Sequence, residues 1–274
     1  MNVEEKAVSN GLALSGLRVL VTGAASGLGA ATCRLLAVQG CSVAINHLPA
    51  EQAQAEELAQ HCRGEGVEAL TLAADVGDDD ACRQMALELE VWGELHGLVN
   101  SAGVTRHVPD HSDMDALSAE DFLAVYRVNV VGGFQVLRAT RRLLEAGAAT
   151  LGHASSVVNV SSLSALSGGG SSAAYCASKG ALNTLTLSMA RALAPAIRVN
   201  AVCPAYIDTG WFARGQGEAA DRALKEAVEA NVPLGAALTP LDVAYQLAFL
   251  LSPSSRYQTG EITHIDSGHR LLEF

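Results

Sequence analysis

A serine at 162, a tyrosine thirteen residues on at 175 and a lysine four further at 179 could together move a proton. Ser162 closes the apolar run Val158-Asn-Val-Ser-Ser162, which reads as the end of a strand, and Tyr175-Cys-Ala-Ser-Lys179 falls at the start of a helical stretch. At 3.6 residues per turn, residues four apart lie on nearly the same helical face. A phenol titrates near ~10, too weak an acid for fast transfer at neutral pH, and a close ammonium lowers that value. A serine hydroxyl alongside can hydrogen-bond a substrate carbonyl or alcohol. Such a set puts a proton on or off an oxygen while another agent carries the hydride.

The chain must also hold that agent. Leu17-Arg-Val-Leu-Val21 is a short β-rich run, followed at once by Thr22-Gly23-Ala-Ala-Ser26-Gly27-Leu28-Gly29 and a helical stretch from Ala30. Strand, glycine-rich turn and helix is the arrangement in which backbone N–H groups and a helix amino terminus receive a pyrophosphate. The spacing is G-x-x-x-G-x-G rather than the commoner G-x-G-x-x-G, so by itself the segment also reads as an ordinary glycine-rich turn.

Strand-like and helical runs alternate along the 274 residues, which predicts an α/β fold with a doubly wound parallel sheet, the Rossmann arrangement. Seven strands are expected at 17–21, 41–46, 67–74, 97–100, 155–161, 196–202 and 261–265. Helices are expected at 27–39, 50–63, 78–92, 118–146, 174–194 and 240–251, with a shorter one near 218–230. Several strands are apolar almost throughout, as in Val157-Val-Asn-Val160, which suits burial on both faces. No linker or repeat divides the chain, so residues 16–274 read as one domain behind a loosely ordered tail, 1–15. The ligand edge of such a sheet is the carboxyl ends of its strands.

Hydrophobic residues make up 49% of the chain and aromatics only 4%, which fits closely packed helices on a sheet. No apolar run approaches the ~18 residues that span a bilayer, and the acidic amino terminus lacks a signal core. A cytoplasmic protein is expected, with no membrane partner. The net charge of −11 argues against nucleic acid. Six scattered cysteines form no C-x-x-C pair and read as reduced, buried small residues; the histidines show no metal-ligand spacing.

Taken together, the motifs resemble the short-chain dehydrogenase/reductase family in its single-domain form, including its 3-oxoacyl reductases and its sugar or polyol dehydrogenases. The resemblance runs from about Gly16 to Gly268. It rests on the glycine loop, Asp75-Val76, Asn100-Ser-Ala-Gly103, Asn129, Ser162, Tyr175-x3-Lys179 and Pro204-Ala-Tyr-Ile207-Asp-Thr209, all in the family's order. It implies that Tyr175 is the general acid/base and that Ser162 orients the substrate oxygen. Lys179 would lower the tyrosine pKa and hold the nicotinamide ribose, and Asn129 would support a proton-relay water. Gly23, Ser26, Gly27, Leu28 and Gly29 would line the pyrophosphate and Asp75 and Val76 the adenine. Asn100, Ala102 and Gly103 would lie beside the cofactor, with Pro204, Ile207 and Thr209 at the nicotinamide. Serines 155, 156, 161 and 164 compete with Ser162 in type, and Asp75 could instead cap a helix. Ser101 and Ala205 depart from the family's usual asparagine and glycine.

The implied reaction is reversible hydride transfer between a nicotinamide and a small carbonyl or secondary alcohol. Relatives that use NAD commonly carry an acid where His47 stands, to bind the ribose 2′-hydroxyl. Here Asn46-His47 ends the second strand and no acid occurs before Glu51, so the sequence favours NADP(H), with NAD(H) as the alternative. Gly210 to Gly217 is expected to be a mobile lid with Trp211 and Phe212 as apolar walls, or else a surface loop. His107 and His111 are expected to be exposed. The long helices near 118–146 and 174–194, with the apolar end Leu271–Phe274, suggest a homodimer or homotetramer. The competing class is a nucleotide-binding scaffold or regulator without catalysis.

Overall fold

The computed structural model describes residues 12–108 and 110–272. Most of the expected tail, residues 1–11, and the last two residues of the apolar end lie outside the described residues. Residues 12–15 are not loose: Leu14 is 1% exposed and its carbonyl accepts from Leu17 N–H at 3.1 Å.

Seven parallel strands form one sheet in the order β3-β2-β1-β4-β5-β6-β7. They are β1 Arg18–Val21, β2 Ser42–His47, β3 Ala69–Ala73, β4 Gly97–Asn100, β5 Ser155–Val160, β6 Ile197–Pro204 and β7 Ile262–Ile265. Helices cover both faces, which is why the strands are apolar on both sides. On one face Val19, Val21, Val43 and Ile45 meet α1 (Gly27–Val38), α2 (Gln52–Gly64) and α10 (Pro240–Leu251). On the other, Leu20, Ala44 and Leu98 meet α3 (Asp79–Leu89), α5 (Gly133–Leu151) and α7 (Ala173–Leu193). Consecutive β1 residues thus alternate between two cores, and each fully buried aliphatic side chain contributes roughly 1.5–3 kcal/mol.

The helix expected over 118–146 is instead three pieces: α4 (Ala119–Tyr126), a π-helical turn (Arg127–Gly132) and α5. Asn129 sits in the widened turn, where its side chain bonds the backbone of Val104 from both ends, accepting at 2.8 Å and donating at 2.9 Å. An inserted polar contact of that kind breaks the 3.6-residue register. Between β5 and α7 lies the short α6 (Ser164–Ser167). Gly210 to Gly217, expected as a lid or loop, is the helix α8 (Trp211–Gln216) between two positive-φ glycines, followed by α9 (Glu218–Asn231). The order reverses between β1 and β4, so their carboxyl ends open a crevice there.

Candidate active site

A cavity of about 780 Å³ occupies that crevice, with Ser162, Tyr175 and Lys179 among its lining residues. The three come from different elements. Ser162 lies just past β5, where Leu163 N–H donates to Pro204 O at 2.8 Å and ties the turn to β6. Tyr175 stands in the first turn of α7, whose start is fixed by Ser172 Oγ accepting from Tyr175 N–H at 3.2 Å. One helical turn on, Lys179 Nζ donates to Val160 O at 2.8 Å and lies 5.5 Å from the Tyr175 ring centroid. The Ser162 hydroxyl and the Tyr175 phenol line the same cavity, near enough for the serine to favour the phenolate.

Of the neighbouring serines, two have engaged hydroxyls and one is sealed in the core. Ser156 Oγ donates to Leu250 O at 2.7 Å and Ser161 Oγ to Lys179 O at 3.2 Å. Ser155 is fully buried, and Ser164 N–H donates to Ser162 Oγ. Only tertiary contact separates Ser162 from its neighbours in this way.

Burial governs the titration of the pair. It pushes the Tyr175 phenol up to about 12, opposed by the nearby Ser162 hydroxyl. It draws the Lys179 amine down to about 8. The amine is expected from the sequence to lower the phenol, but burial instead raises the phenol and lowers the amine.

At the other end of the cavity the glycine loop is drawn tight. A Cβ on Gly29 would fall 2.5 Å from Gly23 O, and one on Gly23, at φ +60°, would fall 2.8 Å from Ala102 Cα. Only glycine permits that approach. Gly23, Ser26, Gly27, Leu28 and Gly29 all line the cavity at the start of α1, whose first turn carries no acidic residue. This is a cradle suited to a pyrophosphate. Thr22 Oγ1 fixes it against the next strand by accepting from Ser101 and Ala102 N–H at 3.0 and 3.1 Å. Asp75 and Val76 line the same end, and Asp75 accepts from Gly77 N–H at 2.8 Å. Asp78, not Asp75, caps α3.

Ala102, Gly103, Pro204, Ile207 and Thr209 also line the cavity. Asn100 and Asn129 do not. Asn100 turns inward and donates to Asn159 Oδ1 at 2.8 Å, so it supports β5 rather than facing the cleft. Asn129 is buried behind the wall, where it also donates to Ser178 Oγ at 3.0 Å. Asn46 lines the cleft, yet its side chain accepts from Gly23 N–H and donates to Leu72 O and Ala74 O. It positions the glycine loop. His47 is 1% exposed with Nδ1 2.9 Å from Leu48 O.

Several lining residues were not among the expected site residues: Glu51, Arg127, Tyr206, Leu224 and His269. Trp211 and Phe212 line the cavity as expected of apolar walls, and Phe212 stacks on Tyr206 at 5.5 Å. His107 and His111 are half-buried rather than exposed. His111 Nε2 lies 3.1 Å from Gly170 O, and His107 meets Phe212 edge-on at 6.0 Å.

Comparison with known proteins agrees with this arrangement. The family model described as Enoyl-(Acyl carrier protein) reductase matches residues 23–270. L-rhamnose 1-dehydrogenase (NAD(P)(+)) of Azotobacter vinelandii is 35% identical over 91% of this chain and 95% of its own length. The chain belongs to the short-chain dehydrogenase/reductase family. The 3-oxoacyl-[acyl-carrier-protein] reductase of Staphylococcus aureus is 32% identical to this dehydrogenase/reductase, over 91% of it and 96% of the relative. A gluconate 5-dehydrogenase from Burkholderia cenocepacia, solved with NADP and tartrate, superposes with TM-score 0.83 at 28% identity. It covers 94% of this chain and 97% of its own. As a family member the chain is an oxidoreductase of alcohol and carbonyl groups.

Proposed function

We propose that this oxidoreductase uses a nicotinamide dinucleotide to interconvert a small ketone or aldehyde and its alcohol. The observation that carries the reading is that Ser162, Tyr175 and Lys179 line the same cavity as the glycine cradle. When bound, the dinucleotide supplies or accepts the hydride. Tyr175 gives its phenolic proton to the substrate oxygen in reduction and takes one in oxidation. Ser162 holds that oxygen by a hydrogen bond. Lys179, seated by Val160 O, sets the charge beside the phenol and holds the ribose, and Asn129 supports the proton path from behind the wall.

For the dinucleotide itself we assign NAD(H), against the preference drawn from the sequence. The Glu51 carboxylate, the first acid after the end of β2, lines the cleft and accepts from Leu48 N–H at 3.1 Å. A ribose 2′-phosphate would meet that charge. Of the arginines lining the cavity, Arg127 faces Asp75 at 3.8 Å and Arg214 sits over Trp211 at 5.8 Å. Neither is paired to the end of β2. A panel of polyols, sugars and ketones followed by nicotinamide absorbance tests both parts. NAD(H) is expected to win by about tenfold in kcat/KM, equivalent to ~1.4 kcal/mol, and Glu51→Gln to narrow the ratio. Calorimetry on the protein without substrate should rank the two dinucleotides in the same order. No turnover of any panel member would favour the scaffold reading, and a tenfold advantage for NADP(H) would reverse the assignment.

Assembly is part of the same reading. Leu123, Val131 and Leu187 stand exposed on α4, the π-helical turn and α7, which supports a homodimer or homotetramer paired through those helices. Light scattering should report two or four copies; a monomer at assay concentration would remove this element.

A further inference from the structure

We infer that His107 is a positioning residue that latches α8 across the mouth of the cavity, and that residue 215 is glycine so that the His107 ring can seat. The inference borrows from the proposed function only the placement of substrate beneath α8.

The latch joins two separate parts of the rim. His107 belongs to the connection between β4 and α4, and that connection is fastened to the loop before α7. Val108 N–H donates to Ser171 O at 2.7 Å, and Thr105 Oγ1 and Ser171 Oγ lie 2.6 Å apart. This post therefore moves with the element that carries Tyr175. From it the His107 ring reaches α8: its edge meets Phe212, and Nδ1 lies 3.4 Å from Gln216 Nε2. A Cβ on Gly215 would fall 2.0 Å from His107 Cδ2 and 2.2 Å from Nε2. The imidazole thus occupies the space a side chain at 215 would need.

Little else in α8 accounts for its position. A six-residue helix is far too short to be stable by itself. It has no side-chain N-cap, and it hangs between Gly210 at φ +69° and Gly217 at φ +86°. Nothing lies within 4 Å of a Cβ at either glycine, so packing does not demand them; the backbone turn does. The next helix is anchored independently, by Tyr206 Oη donating to Asp221 at 2.7 Å and Lys225 to Asp208 at 2.6 Å. Between two hinges and beside a fixed neighbour, α8 is held at its start by Trp211 N–H donating to Thr209 Oγ1 at 3.3 Å and beyond that by Phe212 and His107. Four of its residues line the cavity, Trp211, Phe212, Arg214 and Gln216, so its position sets the size of the substrate end.

Hydrogen exchange over residues 211–217 of the full chain, without substrate, is the test. His107→Ala should speed exchange there by roughly tenfold and leave α7 and the sheet unchanged, while His107→Phe, which keeps a ring, should restore protection. Gly215→Ala gives the decisive sign. Alanine is the better helix former, so by propensity alone it would slow exchange in α8. The latch requires the opposite, because the new methyl evicts the ring. The double variant should then exchange no faster than either single one. Slower exchange in Gly215→Ala, unchanged exchange in His107→Ala, or additive effects in the double variant would each overturn the latch. These readouts need no turnover, so a protein that shows the latch and reduces no carbonyl would fail the functional proposal alone. With a substrate in hand, His107→Ala should raise KM more than it lowers kcat; a loss confined to kcat would contradict its placement at the mouth.

Discussion

Tyr175→Phe is expected to lower kcat by about a thousandfold, or ~4 kcal/mol of barrier, within the range seen when a general acid is removed. Dinucleotide affinity should stay within about twofold of the unaltered protein. The substitution deletes one oxygen and keeps the ring that packs in the first turn of α7. It leaves the Ser162 hydroxyl without its acidic neighbour. The glycine cradle lies on the other side of the cavity and is untouched, which is why binding and turnover should separate. Titration calorimetry with NAD(H) and steady-state kinetics on the best panel substrate supply the two readouts. Near-normal turnover in this variant would reject the role given to the phenol.

Lys179→Met should move activity and stability in opposite directions. Turnover should fall by at least ~10²-fold, since the phenol loses the ammonium 5.5 Å from its ring while burial holds it near about 12. Stability at pH 7 should rise by about 2 kcal/mol. The amine, at 4% exposure, has its pKa drawn from the usual 10.5 down to about 8 by burial. Below about 8 both folded and unfolded chains carry the proton, so the cost of the buried charge is present in full. Between about 8 and 10.5 the unfolded chain holds a proton that the folded chain has lost, and wild-type stability therefore climbs with pH. A methionine removes the charge at every pH, and its advantage should vanish as pH passes 10.5. Losing the donor to Val160 O subtracts about 1 kcal/mol, which is why the expected gain is below the full titration energy. Chemical denaturation at pH 7 and again near 10.5 would measure both limits. A variant less stable than wild type at pH 7 would show that the lysine is not held against its own solvation.

Such opposition is what a reactive site built on a buried cation should exhibit, stability being given up for reactivity. It also explains why Lys179 donates to a backbone carbonyl. A buried ammonium must spend its protons on something, and Val160 at the end of β5 is the acceptor within reach.

What the sequence by itself determined is what covalent neighbours dictate. Tyr175 and Lys179 share a face because any α-helix puts them there, and Gly23, Gly27 and Gly29 form a tight turn because the next residues must start a helix. Val19, Leu20 and Val21 are apolar in succession because a strand between two helical layers has no wet side. The order of these local units was enough to expect a seven-stranded parallel sheet with its ligand edge at the motif loops. Only the tertiary structure decided which side chains were already committed. It chose Ser162 among five serines by giving three of the others partners or burial, and it turned Asn100 away from the cleft toward Asn159. It opened the helix around Asn129 into a π-turn, carried the Glu51 carboxylate to the cleft edge, and set His107 against Gly215. The physical reason is common to all of these. Hydrogen bonds and excluded volume between remote segments depend on where the whole sheet places them, whereas spacing along the chain constrains only atoms a few bonds apart.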